Sequence, residues 1–375
     1  MRTQSQGDVE RGAPSETGLR VEVRELAPED EAAYTRFVAS REESLLYTTL
    51  PFRDFLRAAA GGDAHYFVAW RDGQVCGVLP FFVRRSPGLG EVWNSLPWYG
   101  SHGGCLVSEP GAAATRDALL EALLAATSGR EVLSTTLILS PSDEASRAAY
   151  TRRLAPAATD SRIGQWTALP EPGAELPVRL EAVFRQKTRN LVRKALRQGF
   201  REVCTDEEWA WRFLHEVHRE NMRAIGGKPK PWEHFEALRR HIPESSRRLS
   251  LAMWGGEPIA GLLLLFFGHT VEYLTPVVRS EHRARQPLSF LIFHGMLEAA
   301  NRGRRAWNWG GTWITQHSLH HFKQGFGAVD RPYSYLVLAS PEARARLLAA
   351  RERIGDAFPY YYVYPFAQLD EEAAR

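Results

Sequence analysis

Residues 184–200, FRQKTRNLVRKALRQGF, concentrate positive charge. Arg185, Lys187, Arg189, Arg193, Lys194 and Arg197 share this stretch with no acid among them. On a helix, Arg189, Arg193 and Arg197 fall at successive fourth positions and Lys187 and Lys194 lie seven apart. Phe184, Leu191, Val192, Ala195 and Leu196 then supply an apolar side. Like charges at that spacing repel, so the face costs stability unless an anion meets it. A phosphate of RNA, of a sugar nucleotide or of a lipid would fit. Charge alone leaves a solvated helix face open as well.

Other reactive side chains point away from familiar machinery. His317, His320 and His321 cluster, but no Cys or carboxylate accompanies them at useful spacing, so no metal is expected. No Ser/His/Asp or Cys/His set suggests a covalent intermediate. Cys76, Cys105 and Cys204 are far apart and form no CxxC, which argues against a disulfide framework and for a reducing compartment. Residues 99–104, Tyr-Gly-Ser-His-Gly-Gly, follow Trp98. They read either as a turn that needs glycine backbone angles or as the lining of a groove where Trp98 stacks.

The elements that must carry these residues are legible in outline. The chain has 375 residues, 44% hydrophobic and 24% charged, a composition suited to two globular domains. Its net charge of +3 does not by itself imply a nucleic-acid partner. Residues 1–19 read as a disordered tail without the apolar core of a signal peptide. Residues 259–267 form the longest apolar run, too short to span a membrane. Residues 65–70 and 75–83 read as a hairpin around Asp72-Gly73, and residues 249–254 and 259–267 as a second around Gly255-Gly256. FVAWRDGQVCGVLPFF and LAMWGGEPIAGLLLLFF line up, each with an early glycine, Gly77 or Gly261. Helices precede both hairpins, and a helix with a buried strand follows each (113–127 with 135–139, and 287–302 with 306–309). The outline is a domain duplication.

Five segments, in order, carry a resemblance. They are DGQVCGVLPFF with NSLPWYGSHGG, then KTRN with VRKA, then GGKPKPWEHFEAL, then YLTPVVRSEHRARQPLSFLIFHGMLEAANRGRRAWNWGG, and finally LHHFKQGFGA. Together they resemble the FemAB-like and BioF2-like proteins of the GNAT superfamily over residues 72–328. The resemblance implies an α/β fold of two tandem GNAT-like domains, each a mixed sheet flanked by helices. Residues 20–170 would be the first domain, 171–340 the second, BioF2-like one, and 341–375 a helical, aromatic tail. It implies an acyltransferase that forms an amide on an amine-bearing cell-envelope precursor such as peptidoglycan. The family's closing F-K motif falls on Phe322 and Lys323. Lys323 would stabilise the oxyanion that forms when an amine attacks an ester or thioester carbonyl. Tyr273 sits where relatives place a pocket aromatic. Lys187, Arg189, Arg193 and Lys194 would bind phosphate, and Trp98, Tyr99 and His102 would line the acceptor groove.

The donor stays open between two classes. GNAT enzymes grip a CoA pyrophosphate with backbone amides at a helix start. The matching stretch here, RARQPL at 283–288, keeps Arg283 and Arg285 but lacks glycines, and Pro287 lacks an N–H. That favours aminoacyl-tRNA over acyl-CoA or an acyl carrier as co-substrate, with no tightly bound cofactor. An N-acyltransferase acting on an amino sugar, a lipid amine or an exopolysaccharide precursor is the alternative, and a non-catalytic RNA- or anion-binding module is a third. Expected surroundings are the cytoplasm, with at most peripheral contact at the inner face of the membrane.

Overall fold

The computed structural model describes residues 21–97, 102–313 and 315–373. The tail at 1–19 and the Trp98–Ser101 part of the glycine loop lie outside the described residues.

In the first half, β1 (Glu22–Glu25), α1 (Glu31–Ser40) and α2 (Leu50–Ala59) precede the hairpin of β2 (Asp63–Arg71) and β3 (Gln74–Ser86). Then come β4 (Gly90–Asn94), β5 (Leu106–Val107), α3 (Ala112–Thr127), β6 (Val132–Ile138), α4 (Arg147–Leu154) and β7 (Ala158–Ala168). The second half runs α5 (Leu176–Val183), α6 (Gln186–Leu196), β8 (Arg201–Cys204), α7 (Glu208–Ala224) and α8 (Trp232–His241). It continues with β9 (Arg247–Trp254), β10 (Glu257–Phe267), β11 (Thr270–Val278), α9 (Pro287–Asn301), β12 (Ala306–Thr312), α10 (His317–Gly325) and β13 (Val329–Leu338). Helices α11 (Pro341–Ala349), α12 (Arg351–Ala357) and α13 (Phe366–Ala373) follow.

The two hairpins share one turn geometry. Asp72 and Gly73 have φ of 49° and 73°, and Gly255 and Gly256 have φ of 60° and 92°. Two consecutive left-handed residues give a turn whose twist matches that of the strands it joins. Each hairpin then shifts register just past the turn, by one extra residue, Cys76 in β3 and Ile259 in β10. The echo between the halves is therefore a matching backbone. The early glycines are not its equivalent points. A Cβ on Gly77 would meet Thr115 and Leu119 of α3, whereas one on Gly261 would meet Leu214 of α7 and its sheet neighbours. By turn and register, Gly77 corresponds to Ala260.

The strands join in one mixed sheet of order β1-β2-β3-β4-β6-β13-β7-β12-β11-β10-β9-β8, with β5 on β3. The halves exchange their last strands. Strand β13, from the end of the second half, pairs with β6, while β7, from the end of the first, pairs with β12. The exchanged strands also pair with each other over nine positions, Val329–Val337 against Trp166–Ala158. Apolar side chains fill three layers. One lies under α3 and α4 and one under α5, α6 and α9. The largest joins α1, α2, α7, α8 and the C-terminal aromatic segment, whose Phe358, Tyr361, Val363 and Tyr364 are buried. Among the described residues no helix is long and apolar enough to cross a membrane.

This topology leaves the two halves unequal where parallel strands part. In the first half β4 and β6 pair at Glu91–Asn94, and the chain after β4 closes the gap beyond. Ser95 N donates to Thr136 O at 2.9 Å, Ile138 N to Ser95 Oγ at 2.8 Å, and Gly103 N to Ile138 O at 2.9 Å. In the second half β11 and β12 pair only at Thr270, Val271 and Glu272 against Ala306, Trp307 and Asn308. Beyond that both strands continue without pairing to one another, and no segment of the described residues bonds between them as Ser95 and Gly103 do in the first half.

Candidate active site

Tyr273 is the first residue of β11 past the last pair, and Trp309 the first of β12. Their ring centroids are 4.8 Å apart. Phe322 of α10 and Phe326, just past its end, lie 6.1 and 5.4 Å from the Trp309 ring. Trp309 is held by its indole N–H, which donates to Thr167 Oγ1 of β7 at 2.9 Å, and that hydroxyl donates to Phe326 O at 3.1 Å. An aromatic wall thus lines the place where the strands part, and its anchor, Thr167, comes from an exchanged strand.

Lys323 is buried beside this wall, only 3% exposed. Its Nζ donates to Thr312 Oγ1 at 2.7 Å, with Gly310 O at 3.5 Å. Both partners are neutral. Removal from water disfavours an ammonium, and burial pushes Lys323 down to about 8. The sequence places Lys323 and Phe322 side by side, and the fold brings Tyr273 to them through Trp309.

On the opposite face of β11, Glu272 is 2% exposed. Tyr47 OH, from the loop before α2, donates to Glu272 Oε2 at 2.7 Å. Glu272 Oε1 and the amide nitrogen of neighbouring Asn308 are buried without hydrogen-bond partners. Burial pushes the carboxyl up to about 8, against the opposing pull of Tyr47, Thr270 and Asn308. The acid stands at the last paired position before the strands part, a placement that distinguishes it from Glu281 and His282 nearby in sequence. Glu281 lies in the short turn before α9.

The basic helix is α6, and its cations divide. Arg193 Nε donates to Glu181 Oε2 at 2.8 Å, so an acid outside the charged stretch meets it. Arg189 donates to Gln186 Oε1 at 2.6 Å, and Lys194 Nζ to Ala284 O at 2.9 Å. Lys187 is exposed. The Lys194 bond docks α6 against the turn carrying Arg283 and Arg285. Arg285 lies 4.0 Å over the Trp254 ring and 3.4 Å from Gln198 Oε1. Gln286, at φ 66°, turns the chain into α9. His320 pairs through Nε2 with Asp330 at 2.9 Å, and no three His, Cys, Asp or Glu side chains among the described residues could hold a metal.

His102 lies in the first half, 3% exposed, and both its ring nitrogens lack hydrogen-bond partners. Its ring meets Tyr333 edge-on at 4.5 Å. Burial holds its imidazole down at about 3, so it is neutral. It lines a cavity of about 320 Å³ with Arg41, Thr48, Arg116, Ser140 and Asp143. Trp98 and Tyr99 lie outside the described residues.

The family described as an acetyltransferase (GNAT) domain matches residues 182–324, which span α6, the parted strands and Lys323. The second half therefore carries an acyltransferase domain of GNAT type. The fold agrees over most of the chain. FemX is similar at 14% identity over 84% of this chain and 97% of its own, with a TM-score of 0.65. A C-terminal domain assigned to a lysylphosphatidylglycerol synthetase from Agrobacterium fabrum is similar at 13% identity, over 87% and 96%, with a TM-score of 0.53. A tandem GNAT protein of clavulanic acid biosynthesis is similar at 14% identity, over 86% and 99%, with a TM-score of 0.50. At these identities the likeness is one of fold. No curated protein matches the sequence.

Proposed function

We propose that this acyltransferase forms an amide on an amine-bearing cell-envelope precursor, with an aminoacyl-tRNA as donor. The observation that carries the reading is Lys323: a buried ammonium with neutral partners only, beside the point where β11 and β12 part and Tyr273, Trp309 and Phe322 pack together. A cation fixed in a low-dielectric site is suited to the oxyanion formed when an amine attacks the donor carbonyl. Tyr273 and Phe322 exclude water from the ester. Lys187, Arg189 and Lys194 on α6, with Arg283 and Arg285 on the adjoining turn, form a cationic approach for donor phosphates.

The acceptor enters from the face that carries Glu272. An ammonium must lose a proton before it attacks, and a carboxyl that titrates near 8 is matched to take one. The first-half cavity at His102 receives the remainder of the acceptor. Its arginines are balanced by Glu43, Glu109 and Asp143, which suits a hydroxyl- or amine-bearing group better than a phosphate.

An acyl-CoA donor is the second reading, favoured by the acetyltransferase description of the matching family. Titration of the purified protein with acetyl-CoA, a long-chain acyl-CoA and a mixed aminoacyl-tRNA pool separates the two. Salt-sensitive tRNA binding without CoA binding is expected. Micromolar binding of an acyl-CoA with weak tRNA binding would overturn the aminoacyl reading and leave the amide-forming chemistry standing.

A further inference from the structure

Lys323 is the near end of a hydrogen-bond chain that passes through a residue of the first half. Thr312 Oγ1 accepts from Lys323 Nζ at 2.7 Å and donates onward to Gln165 Oε1 at 3.1 Å. Gln165 Nε2 donates to His320 O at 3.2 Å and to Asp330 Oδ1 at 3.3 Å. Asp330 also holds His320 Nε2. Gln165 and Thr312 are fully buried.

Donor and acceptor roles leave little freedom in this chain. A lysine ammonium can only donate, so the Thr312 oxygen must accept and its proton must go elsewhere. The Gln165 carboxamide offers its oxygen to that proton, and its nitrogen faces two acceptors. Turning the amide over would set oxygen against a carbonyl and a carboxylate. The carboxylate of Asp330 is therefore kept two neutral groups away from Lys323. A carboxylate in direct contact would neutralise the ammonium, whereas the relay fixes its position and leaves its charge available.

Gln165 lies on β7, the strand the first half contributes, outside the 182–324 match. We propose that Gln165 is a positioning residue, which through Thr312 aims Lys323 at the place where β11 and β12 part and so makes the exchanged strand part of the reacting centre. The proposal rests on the catalytic reading of Lys323.

The test uses the full chain and needs no substrate in its first arm. Denaturant midpoints from pH 6 to 10 are compared for wild type and Lys323→Met, and again for the same pair in a Gln165→Met background. The pH at which each pair changes separation reports the titration of Lys323. Loss of the relay should move it down by about one unit, since the ammonium loses its ordered acceptor. A filler role for Gln165 would lower all midpoints equally and leave that pH unchanged, which would overturn the proposal. Gln165→Asn, which withdraws the amide by one methylene, replaces any Gln165→Met protein that does not fold, with the same expectation.

The second arm is turnover with the donor that binds. Thr312→Val should lower kcat by about ten- to a hundredfold with KM nearly unchanged, and Thr312→Ser should restore most of it. If Lys323→Met abolishes turnover while Gln165→Met and Thr312→Val do not lower it, the positioning role fails and the catalytic reading survives. If Lys323→Met turns over like wild type, the catalytic reading itself fails.

Discussion

Replacing Glu272 with glutamine should remove a pH dependence from the stability of the whole protein. The carboxyl is fully enclosed, accepts one hydrogen bond from Tyr47 and leaves Oε1 without a partner. Its value near 8 in the fold stands against an ordinary 4.5. A raised carboxyl binds its proton more tightly when folded, so its contribution to stability is fully present below 4.5 and is lost as pH rises through 8. Integrated from pH 5 to pH 8, that linkage amounts to about 3 kcal/mol. Glu272→Gln keeps the shape and cannot ionise. It should resemble the wild type at pH 5 and exceed it by about 3 kcal/mol at pH 8. Chemical denaturation of both proteins at pH 5, 6.5 and 8 reads the difference directly. Tyr47→Phe, which deletes the donor that favours the charged form, should push the carboxyl still higher. Equal wild-type and Glu272→Gln midpoints at every pH would refute the reasoning, because the acid would then be ionised in the fold. The same variant should also remove the acid limb of the turnover profile if Glu272 takes the amine proton.

Three further outcomes follow from single features. Phe326→Ala empties a ring that is 1% exposed and touches Phe184, Trp309 and Phe322, and should cost about 3 to 5 kcal/mol in a denaturant series. Gly327→Ala forces a side chain onto φ 79° with its Cβ 2.3 Å from Val183 Cγ1 and 2.7 Å from Val183 O, so a loss of at least about 2 kcal/mol should appear in the same assay. Lys187→Glu reverses an exposed charge that makes no ion pair among the described residues, so stability should change by less than about 0.5 kcal/mol while the salt dependence of tRNA binding becomes shallower.

The elements visible in the sequence are those whose local chemistry and burial agree. Asp72-Gly73 and Gly255-Gly256 announce hairpins because only such residues take two left-handed positions in succession. Helix α7 shows its apolar stripe because Trp211, Leu214 and Val217 all face one layer. The parted strands, by contrast, are a matter of where pairing stops, which no pattern along one strand records. Trp309 and Thr312 were invisible as site residues for that reason. The basic helix was legible as charge, but the neutralisation of Arg193 by Glu181 depends on how α5 docks.

Segments that meet Lys323 and its hydrogen-bond chain are among those that escaped a reading of pattern. Strand β7, ATDSRIGQWTA, buries Gln165 and Thr167 on one face and Arg162 on the other, so both sides look polar and its alternation is hidden. Strand β13 opens with Val329, Asp330 and Arg331 exposed and carries Pro332, features that mimic a loop. Helix α10 buries a lysine and a glycine where an apolar stripe would be expected. A polar group at an interior position is costly unless every donor and acceptor is matched, and here most are, across elements far apart in sequence. The Lys323–Thr312–Gln165–Asp330 chain supplies that match, and it needs β7 and β13 to lie together. Strand exchange therefore brings to the buried ammonium the one residue, Gln165, that links Thr312 to Asp330.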